Sequence, residues 1–567
     1  MKYIPPASLL LDGYKTSHHE MLPEKTEAIV INMTPRSYKH AEAKLNMNHY
    51  DGTFLHFGLQ GLIKCWLIDH WNTTFFERPW EEVKVEYKEV LDHFMDSDVN
   101  VDNLEALHKL GYLPIEIRGV QEGTFVPMRV PTFMVLPTHK DFAWLPSRLE
   151  TLLSNEYWKA ATIATISHNF RKVAEHYAEM CGAPAWFVDY QCHDFALRGM
   201  SGMWDGSNSG LGHHLSFLGS DTLPASWLAK QLYGAVFDQA PVGKTVKATE
   251  HMVMTIQGRE GEFGIYDRLL DRYSTGILAT VSDQYSLWHV LTKFMPQLKD
   301  KIMARQGRLV IRPDSGNPPD IICGTAHGIA DRFDRKELLN LWHDLNNADE
   351  FVVYERSTGI FAKVSAQLTV DDLGSEDAVA DVDIHVQQLM DSEVTPEMKG
   401  AYHLLYDVFG GTVNSKGYID LDTHVGLIYG DSIDPKSFSE ICERLIAKGF
   451  SISNLVVGVG SYCYQFITRD TFGLAIKATF AIVDGVECPM QKDPVTGDGV
   501  KKSAVGMLAV RADDQGKLYL QEGLSYPLQD ILDGNIDTGL CRSVFRNGQL
   551  LIDENWFDIC NYVKGTA

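Results

Sequence analysis

The spacing of apolar residues predicts helices and β-hairpins in the first third of the chain. Residues 57–71, 80–98 and 145–180 carry apolar side chains at helical spacing. Residues 115–138 form short β-prone runs interrupted by glycine and proline, which predicts β-hairpins. Residues 478–545 return to β-prone runs, and we expect them to pack with 115–138 as a second, β-rich domain.

The pattern of apolar residues changes from about residue 183 to 460. Here short apolar runs end in polar residues or glycine and are followed by helical stretches. The runs are AWFVDY, ILATVS, RLVI, VGLIY and NLVVGVG. The helical stretch 435–449 has clear signals, with Asp434 as N-cap, Pro435 in the first turn and Gly449 past the end.

This alternation predicts an α/β fold with a buried parallel sheet. A barrel and an open doubly wound sheet both place their ligand at the carboxyl ends of the strands, and the pattern does not separate them. We divide the chain into 1–150, 151–469 and 470–567, with the last segment completing the β-rich domain begun by the first. Residues 348–411 are acidic and have weak periodicity, so we expect an irregular insertion.

Composition narrows the class of protein. The 567 residues carry a formal net charge of -24, which disfavours nucleic acid and anionic membranes as partners. The nine cysteines form no CxxC pair, and no signal peptide or membrane-length apolar stretch is found. We therefore expect a cytoplasmic protein without a disulfide framework or a zinc site.

Three strand ends carry acids. Arg312 and Asp314 follow an apolar run within IRPDSGNP, and Asp283 and Asp431 follow two others. One interpretation is purely structural: Arg312 and Asp314 form an ion pair under a loop. Their functional interpretation is a rim of carboxylates that binds Mg²⁺ and a diphosphate substrate, with Asp283 and Asp314 as metal ligands.

Other strand ends carry weaker signals. The loop Gly458–Ser461 contains a GxG that can bind a phosphate through backbone amides or simply form a tight turn. Phe195 can stack on a flat ring, and Arg198 can bind an anion or a carbonyl, although both also suit a packed turn. His251 alone is more typical of a structural histidine.

Together these motifs resemble the nicotinamide phosphoribosyltransferase family over nearly the whole chain. IRPDSGNP and HDFALRG are the most specific. The matching segments are LLLDGYKTSH (9–18), HDFALRG (193–199), FLGSDT (217–222), EH (250–251), VSDQYS (281–286), IRPDSGNP (311–318), NSKGY (414–418), YGDSID (429–434), TRD (468–470), KDPV (492–495) and VFRNG (544–548).

The resemblance implies an incomplete α/β barrel of parallel strands with a second, β-rich α+β domain, in a homodimer whose active sites lie between subunits. It implies that nicotinamide and phosphoribosyl pyrophosphate are joined with Mg²⁺ to give nicotinamide mononucleotide for NAD synthesis. It also implies that ATP stimulates the reaction by phosphorylating His251.

The same resemblance assigns roles to the matching residues. Nicotinamide would lie between Phe195 and the partner's Tyr14, with Asp221 accepting from the carboxamide NH₂ and Arg312 or Arg198 near its carbonyl. The phosphoribosyl and diphosphate groups would be bound by a larger set: Asp314, Gly430 and Asp431 at the ribose, Gly460 and Ser461 at the 5′-phosphate, and Arg36, Arg469, Lys477 and Lys492 at the diphosphate.

The chain also departs from the family pattern. Val459, Ser461 and Tyr462 make the phosphate loop less rich in glycine, and Ala279 stands where a small hydroxyl residue is expected. Residues 200–216 diverge, and 348–411 have no counterpart. The rivals are a nicotinate phosphoribosyltransferase, which Asp221 disfavours by charge, and a binding or regulatory protein without turnover. A barrel aldolase would need a strand-end lysine or glutamate that is missing.

Overall fold

Two kinds of β-sheet organise the computed structural model, which describes residues 4–45, 47, 49–95, 100–371, 379–492 and 503–565. The strands, numbered in chain order, are β1 Thr26–Thr34, β2 Thr53–Leu55, β3 Ile115–Gly119, β4 Phe125–Pro127, β5 Phe133–Pro137, β6 Cys192–Asp194, β7 Lys247–Ala248, β8 Thr275–Val281, β9 Gln306–Arg312, β10 His327–Ile329, β11 Glu350–Glu355, β12 Ile360–Asp371, β13 Val379–Gln388, β14 Gly411–Val413, β15 Ile419–Leu421, β16 Val425–Tyr429, β17 Leu455–Val459, β18 Ala475–Val483, β19 Val486–Pro489, β20 Met507–Ala512, β21 Leu518–Leu524, β22 Arg542–Arg546 and β23 Gln549–Leu550.

Helices cover these sheets and connect their strands. The α-helices are α1 His18–Met21, α2 Lys39–Leu45, α3 Leu59–Leu62, α4 Trp80–Phe94, α5 Asp102–Leu110, α6 Leu145–Cys181, α7 Ala185–Gln191, α8 Met203–His214, α9 Leu223–Tyr233, α10 His251–Thr255, α11 Gly258–Arg272, α12 Leu287–His289, α13 Met295–Met303, α14 Pro318–Cys323, α15 Arg335–Asp344, α16 Pro396–Lys399, α17 Ala401–Phe409, α18 Pro435–Ala447, α19 Ser461–Tyr464, α20 Leu528–Asp533 and α21 Trp556–Val563. No helix among the described residues is long and apolar enough to cross a membrane.

The antiparallel sheet joins the two ends of the chain. Its strand order is β19-β18-β1-β5-β3-β22-β23. The predicted hairpin region 115–138 supplies β3 and β5, and the β-prone region 478–545 supplies most of β18 together with β19 and β22. The long helix α6 packs on this sheet through β1, β5 and β18 and on the barrel half through α8 and α18.

The parallel sheet has the order β6-β17-β16-β9-β8-β7 and curls toward closure. Single parallel bridges, Asp194 with Ser220 and Gly219 with Lys244, link β6 to the segment that continues into β7. Among the described residues, only these isolated bridges connect the edge strands β6 and β7, so the barrel is incomplete at this seam. The predicted fold class, a barrel-like parallel sheet with a separate β-rich sheet, is confirmed.

Two predictions of local structure are wrong. AWFVDY was predicted as a strand, but Ala185–Gln191 is helix α7, and the strand begins at Cys192. The preceding Pro184 has extended backbone angles and starts the helix, which buries Phe187 while Trp186 is 65% exposed. Apolar composition indicated a buried element here but not its type.

The insertion 348–411 is also regular where it is described, contrary to expectation. Strands β10, β11, β12 and β13 form a four-stranded sheet, and helices α16 and α17 follow. Its small core includes Val353, Val364, Leu338 and Trp342, so α15 covers one face of the sheet. Acidic residues on the strands obscured the two-residue alternation. Residues 372–378 and the Asp-Pro-Val of KDPV at 493–495 lie outside the described residues. The proposed domain boundaries stay predictions.

Candidate active site

The carboxyl ends of the barrel strands bring the predicted site residues to one rim. His193 and Asp194 end β6, Arg312 ends β9, and Gly430 follows β16 directly. Because all six strands of the sheet run parallel, their ends converge on the same side. The topology therefore places these strand-end residues on one side of the sheet, as the sequence predicts.

Arg312 connects the acidic and the aromatic parts of the rim. Its Nη2 donates to Asp314 Oδ1 at 3.3 Å, and its guanidinium carbon lies 4.9 Å from the centre of the Phe195 ring. Its Nε is buried and has no hydrogen-bond partner among the described residues. A buried donor without a partner is costly, so this Nε is available to a ligand acceptor.

Two glycines leave space that the side chains of Arg312, Asp314 and Phe195 occupy. A Cβ on Gly430 would lie 2.6 Å from Asp314 Oδ1 and 3.0 Å from Arg312 Nε. A Cβ on Gly458 would overlap the ring of Phe195, whose backbone N–H donates to Val459 O at 2.9 Å. Phe195 is therefore seated directly over the end of β17.

Asp221 is held beside this cluster by two donors. His193 Nε2 lies 3.2 Å from Asp221 Oδ1, and the hydroxyl of Thr245 donates to the same oxygen. Burial acts to raise the pKa of Asp221, but the hydrogen bonds from His193 and Thr245 together with the charges of His193 and Arg312 lower the pKa overall. The site thus keeps a charged carboxylate on a partly exposed rim. Sequence reasoning missed Thr245, which lies in no motif.

Asp283 links the remaining acids to His251. Its side chain is 7% exposed, and Oδ2 accepts from Asp314 N at 3.0 Å and from Ser315 Oγ at 2.5 Å. His251 Nε2 lies 3.4 Å from Asp283 Oδ1, while the His251 side chain is 51% exposed. The structure therefore brings His251 to the rim with one nitrogen facing a carboxylate and the ring open to solvent.

The three strand-end acids also converge on one tyrosine. Burial raises the pKa of Tyr429, and the charges of Asp431, Asp283 and Asp314 raise it further. The Tyr429 hydroxyl donates to Gly316 O at 2.9 Å, which fixes the loop after β9. The acids that follow three different strands therefore lie within electrostatic reach of one side chain.

The acids fit a magnesium ion that is only partly held by protein. Asp283 Oδ1 is buried and has no hydrogen-bond donor among the described residues, while the backbone of Asp314 bonds the other oxygen of Asp283. The described residues contain no group of three or more His, Cys, Asp or Glu arranged to hold a metal. Two carboxylates suit Mg²⁺, which takes its other ligands from phosphate and water.

The predicted diphosphate cations form a separate cluster on the antiparallel half. Burial lowers the pKa of Lys477, Glu150 raises it, and the charges of Arg36, Arg469 and Lys492 lower it. Arg36 Nε donates to Gly473 O at 2.7 Å, which fixes it beside the Arg469 turn. No hydrogen bond or ion pair within the described parts of the chain connects these cations to the rim.

Tyr14 lies near the same cluster, and among the described residues its ring contacts His18 whereas that of Phe195 contacts His193. The tyrosine is 63% exposed, and the neighbouring Lys15 bonds Glu150 at 2.7 Å. Glu150 in turn acts on Lys477. Within one chain, the two expected aromatic partners of the base are therefore not brought together.

The last predicted residues frame the phosphate loop. Gly460 precedes α19, and a Cβ there would meet nothing within 4 Å, so the space above this turn is open. Ser461 packs against Gly199. A Cβ added to Gly199 would overlap the hydroxyl of Ser461. Arg198 is exposed, and no hydrogen bond or ion pair to it is found in the residues that the structure describes.

A cavity of about 740 Å³ fills the barrel interior below the rim. Its lining includes His193 and Thr245, the two donors to Asp221, and Gly307 and His424 near the amino ends of β9 and β16. Ala279, the residue that replaces an expected hydroxyl, lines this cavity. The cavity is large enough for a small aromatic ligand.

Comparison with known proteins gives the family. The model of the nicotinate phosphoribosyltransferase (NAPRTase) family matches residues 190–363 and 377–547. A nicotinamide phosphoribosyltransferase of Acinetobacter baylyi is 38% identical over 96% of this chain and 94% of its own length. A protein of the same name from Xanthomonas campestris is 28% identical over 97% of this chain and 96% of its own.

Among solved structures, a nicotinate-nucleotide pyrophosphorylase from Pyrococcus furiosus aligns over 100% of this chain and 97% of that chain, with a TM-score of 0.49 and 12% identity. That similarity is too distant to carry an argument. The family model and the sequence relatives, however, confirm the resemblance seen in the motifs. The chain belongs to the nicotinate phosphoribosyltransferase (NAPRTase) family.

Proposed function

We propose that this protein is a nicotinamide phosphoribosyltransferase, which joins nicotinamide to phosphoribosyl pyrophosphate and releases nicotinamide mononucleotide and diphosphate. The observation that carries the proposal is the charged Asp221, which contacts His193 next to the Phe195 ring and is influenced by the charge of Arg312. A carboxylate accepts a hydrogen bond from an amide NH₂ and repels the carboxylate of nicotinate. Relatives named nicotinamide phosphoribosyltransferase support the same choice.

Binding of the base follows from the rim geometry. Nicotinamide stacks on Phe195, its carboxamide NH₂ donates to Asp221, and its carbonyl accepts from Arg312 Nε or from Arg198. This arrangement aims the ring nitrogen toward the ribose, which Gly430 and Asp431 bind together with Asp314. Gly460 and Ser461 bind the 5′-phosphate.

The chemistry is a displacement at C1′ of the ribose. The ring nitrogen forms a bond to C1′ as the bond to the diphosphate oxygen breaks, through an oxocarbenium-like state. Negative charge gathers on the departing diphosphate, and the cations that stabilise it are Arg36, Arg469, Lys477 and Lys492. Asp283 and Asp314 would hold Mg²⁺, which would supply further positive charge to the diphosphate.

The complete site needs a second copy of the chain. Tyr14 and the cation cluster lie on the antiparallel half, and we propose that they complete the rim of a partner subunit in a homodimer. Mixing Asp221→Ser and Lys477→Met subunits tests this, since each heterodimer then holds one intact site. We expect about a quarter of wild-type activity from an equal mixture. No recovery after subunit exchange contradicts shared sites.

ATP is proposed to act through His251. The exposed imidazole accepts the γ-phosphoryl group of ATP, with ADP leaving, and Asp283 orients the ring through the 3.4 Å contact. Hydrolysis of the phosphohistidine then drives product formation. Such a salvage enzyme, with the cysteines of the described residues all free, fits a cytoplasmic location.

A rate assay with nicotinamide, phosphoribosyl pyrophosphate and Mg²⁺ tests the proposed reaction. We expect formation of nicotinamide mononucleotide and diphosphate, and little product from nicotinate. Asp221→Ser is expected to weaken the use of nicotinamide and to increase the use of nicotinate. Binding without diphosphate release would favour the regulatory alternative, and unchanged selectivity in Asp221→Ser would refute the role of Asp221.

A further inference from the structure

The backbone that carries Asp221 is fixed at the seam of the barrel. Asp221 N donates to Asp194 O at 3.0 Å, and the hydroxyl of Thr222 donates to Asp194 Oδ2 at 2.6 Å. On the other side, Ser220 N donates to Lys244 O at 3.0 Å. These bonds fix where the side chain of Asp221 starts but leave its two torsions free.

The two oxygens of the Asp221 carboxylate have different environments. Oδ1 receives both the His193 Nε2 contact and the hydroxyl of Thr245. No donor to Oδ2 is found within the described residues. The side chain is 48% exposed, so packing alone does not hold it in one rotamer.

We propose that Thr245 is the residue that positions Asp221 for substrate selection, by occupying Oδ1 so that Oδ2 alone faces the carboxamide of the substrate. The inference rests on the proposed function and extends it to a residue outside the recognised motifs. Thr245 does not touch the reacting atoms and acts through Asp221.

Two structural features make Thr245 suited to this task. It comes directly after Lys244, the residue bridged to Gly219, so its backbone is tied to the segment that carries Asp221. A hydroxyl donates one proton and carries no charge, so it orients the carboxylate without forming an ion pair. His193 contacts the same oxygen, and the two donors fix the plane of the carboxylate.

The test measures kcat and KM for nicotinamide in Thr245→Val and Thr245→Ser. We expect Thr245→Val to raise KM for nicotinamide about tenfold, because a hydrogen bond that fixes a charged group is lost. We expect kcat and KM for phosphoribosyl pyrophosphate to stay near wild type, and Thr245→Ser to restore KM. A structural role would lower kcat and thermal stability together and would not be restored by serine.

Two further measurements distinguish the possible outcomes. In an Asp221→Ala background, Thr245→Val is expected to add no further change in KM. Loss of the donor also raises the pKa of Asp221, so the acid limb of kcat/KM should move to higher pH in Thr245→Val. The matched control is Thr73→Val, an exposed threonine whose hydroxyl bonds only carbonyls of its own helix, with no expected change.

Failure of this inference differs from failure of the proposed function. A wild-type enzyme that converts nicotinamide, with an unchanged KM in Thr245→Val, would overturn the positioning role alone. An additional KM effect of Thr245→Val in the Asp221→Ala background would also overturn it, since the residue would then act independently of Asp221. A wild-type protein that does not convert nicotinamide would overturn both proposals.

Discussion

Gly430 offers a direct test of how tightly the rim is built. In Gly430→Ala, the added Cβ would lie 2.6 Å from Asp314 Oδ1, whereas ordinary contacts begin at 3.4 Å. The same atom would lie 3.0 Å from both Nε and Nη2 of Arg312. The carboxylate must therefore move by about 0.8 Å, the difference between 3.4 and 2.6 Å, or the strand end must shift.

The size of the effect follows from that displacement. A misplacement of about 1 Å in a reacting group can cost about 100-fold in rate, so we expect kcat/KM to fall about 10- to 100-fold. This loss corresponds to about 1.4 to 2.7 kcal/mol of transition-state stabilisation. Overpacking at one site should destabilise the fold by no more than about 1 to 3 kcal/mol.

The assay compares initial rates and thermal unfolding for Gly430→Ala and a matched control. Gly264→Ala serves as the control because a Cβ at this exposed helical glycine meets nothing within 4 Å. We expect Gly264→Ala to keep wild-type rates and a similar or slightly higher stability. If Gly430→Ala retained full kcat/KM, the close placement of Arg312 and Asp314 would not matter for the reaction.

Three other predictions concern charge. Lys477→Met should raise KM for phosphoribosyl pyrophosphate about tenfold or more, measured against an unchanged KM for nicotinamide; equal increases in both would contradict a diphosphate role. His251→Asn should abolish stimulation by ATP while the rate without ATP remains, and persistent stimulation would refute a phosphohistidine at this residue. Burial lowers the pKa values of His56 and His213 to about 3, so stability is fully present above about pH 6.5 and falls by about 1.4 kcal/mol per pH unit for each histidine as pH drops toward 3. A thermal midpoint that stays constant from pH 7 to 5 would contradict the neutral burial of these histidines.

The rim of the barrel was predictable because buried parallel strands give a recognisable sequence pattern. Apolar runs that end in a charge, such as the one before Arg312 and Asp314, cannot bury that charge and must end at an edge. The same reasoning located Asp283 and Asp431. The N-cap at Asp434 was also readable, and its side chain accepts from Ser437 N at 2.7 Å.

Other features were not predictable from local pattern. Helix α7 was taken for a strand because six apolar-rich residues fit either element, and tertiary contacts decided the outcome. The insertion was taken as irregular because its strands pair within a small separate sheet. The hydroxyl of Thr245 donates to Asp221, which lies 24 positions earlier in the chain, and no spacing rule connects the two residues.

Backbone hydrogen bonds connect the barrel strands unevenly, and this affects which parts of the protein can accept substitutions. Strands β9, β16 and β17, which lead to Arg312, Gly430 and Gly460, pair in continuous ladders, whereas Asp221 and Thr245 lie at the join made by isolated bridges. Substitutions at this join disturb few backbone hydrogen bonds. We therefore expect side chains near Asp221 to tolerate substitution more readily than those at the ends of the laddered strands.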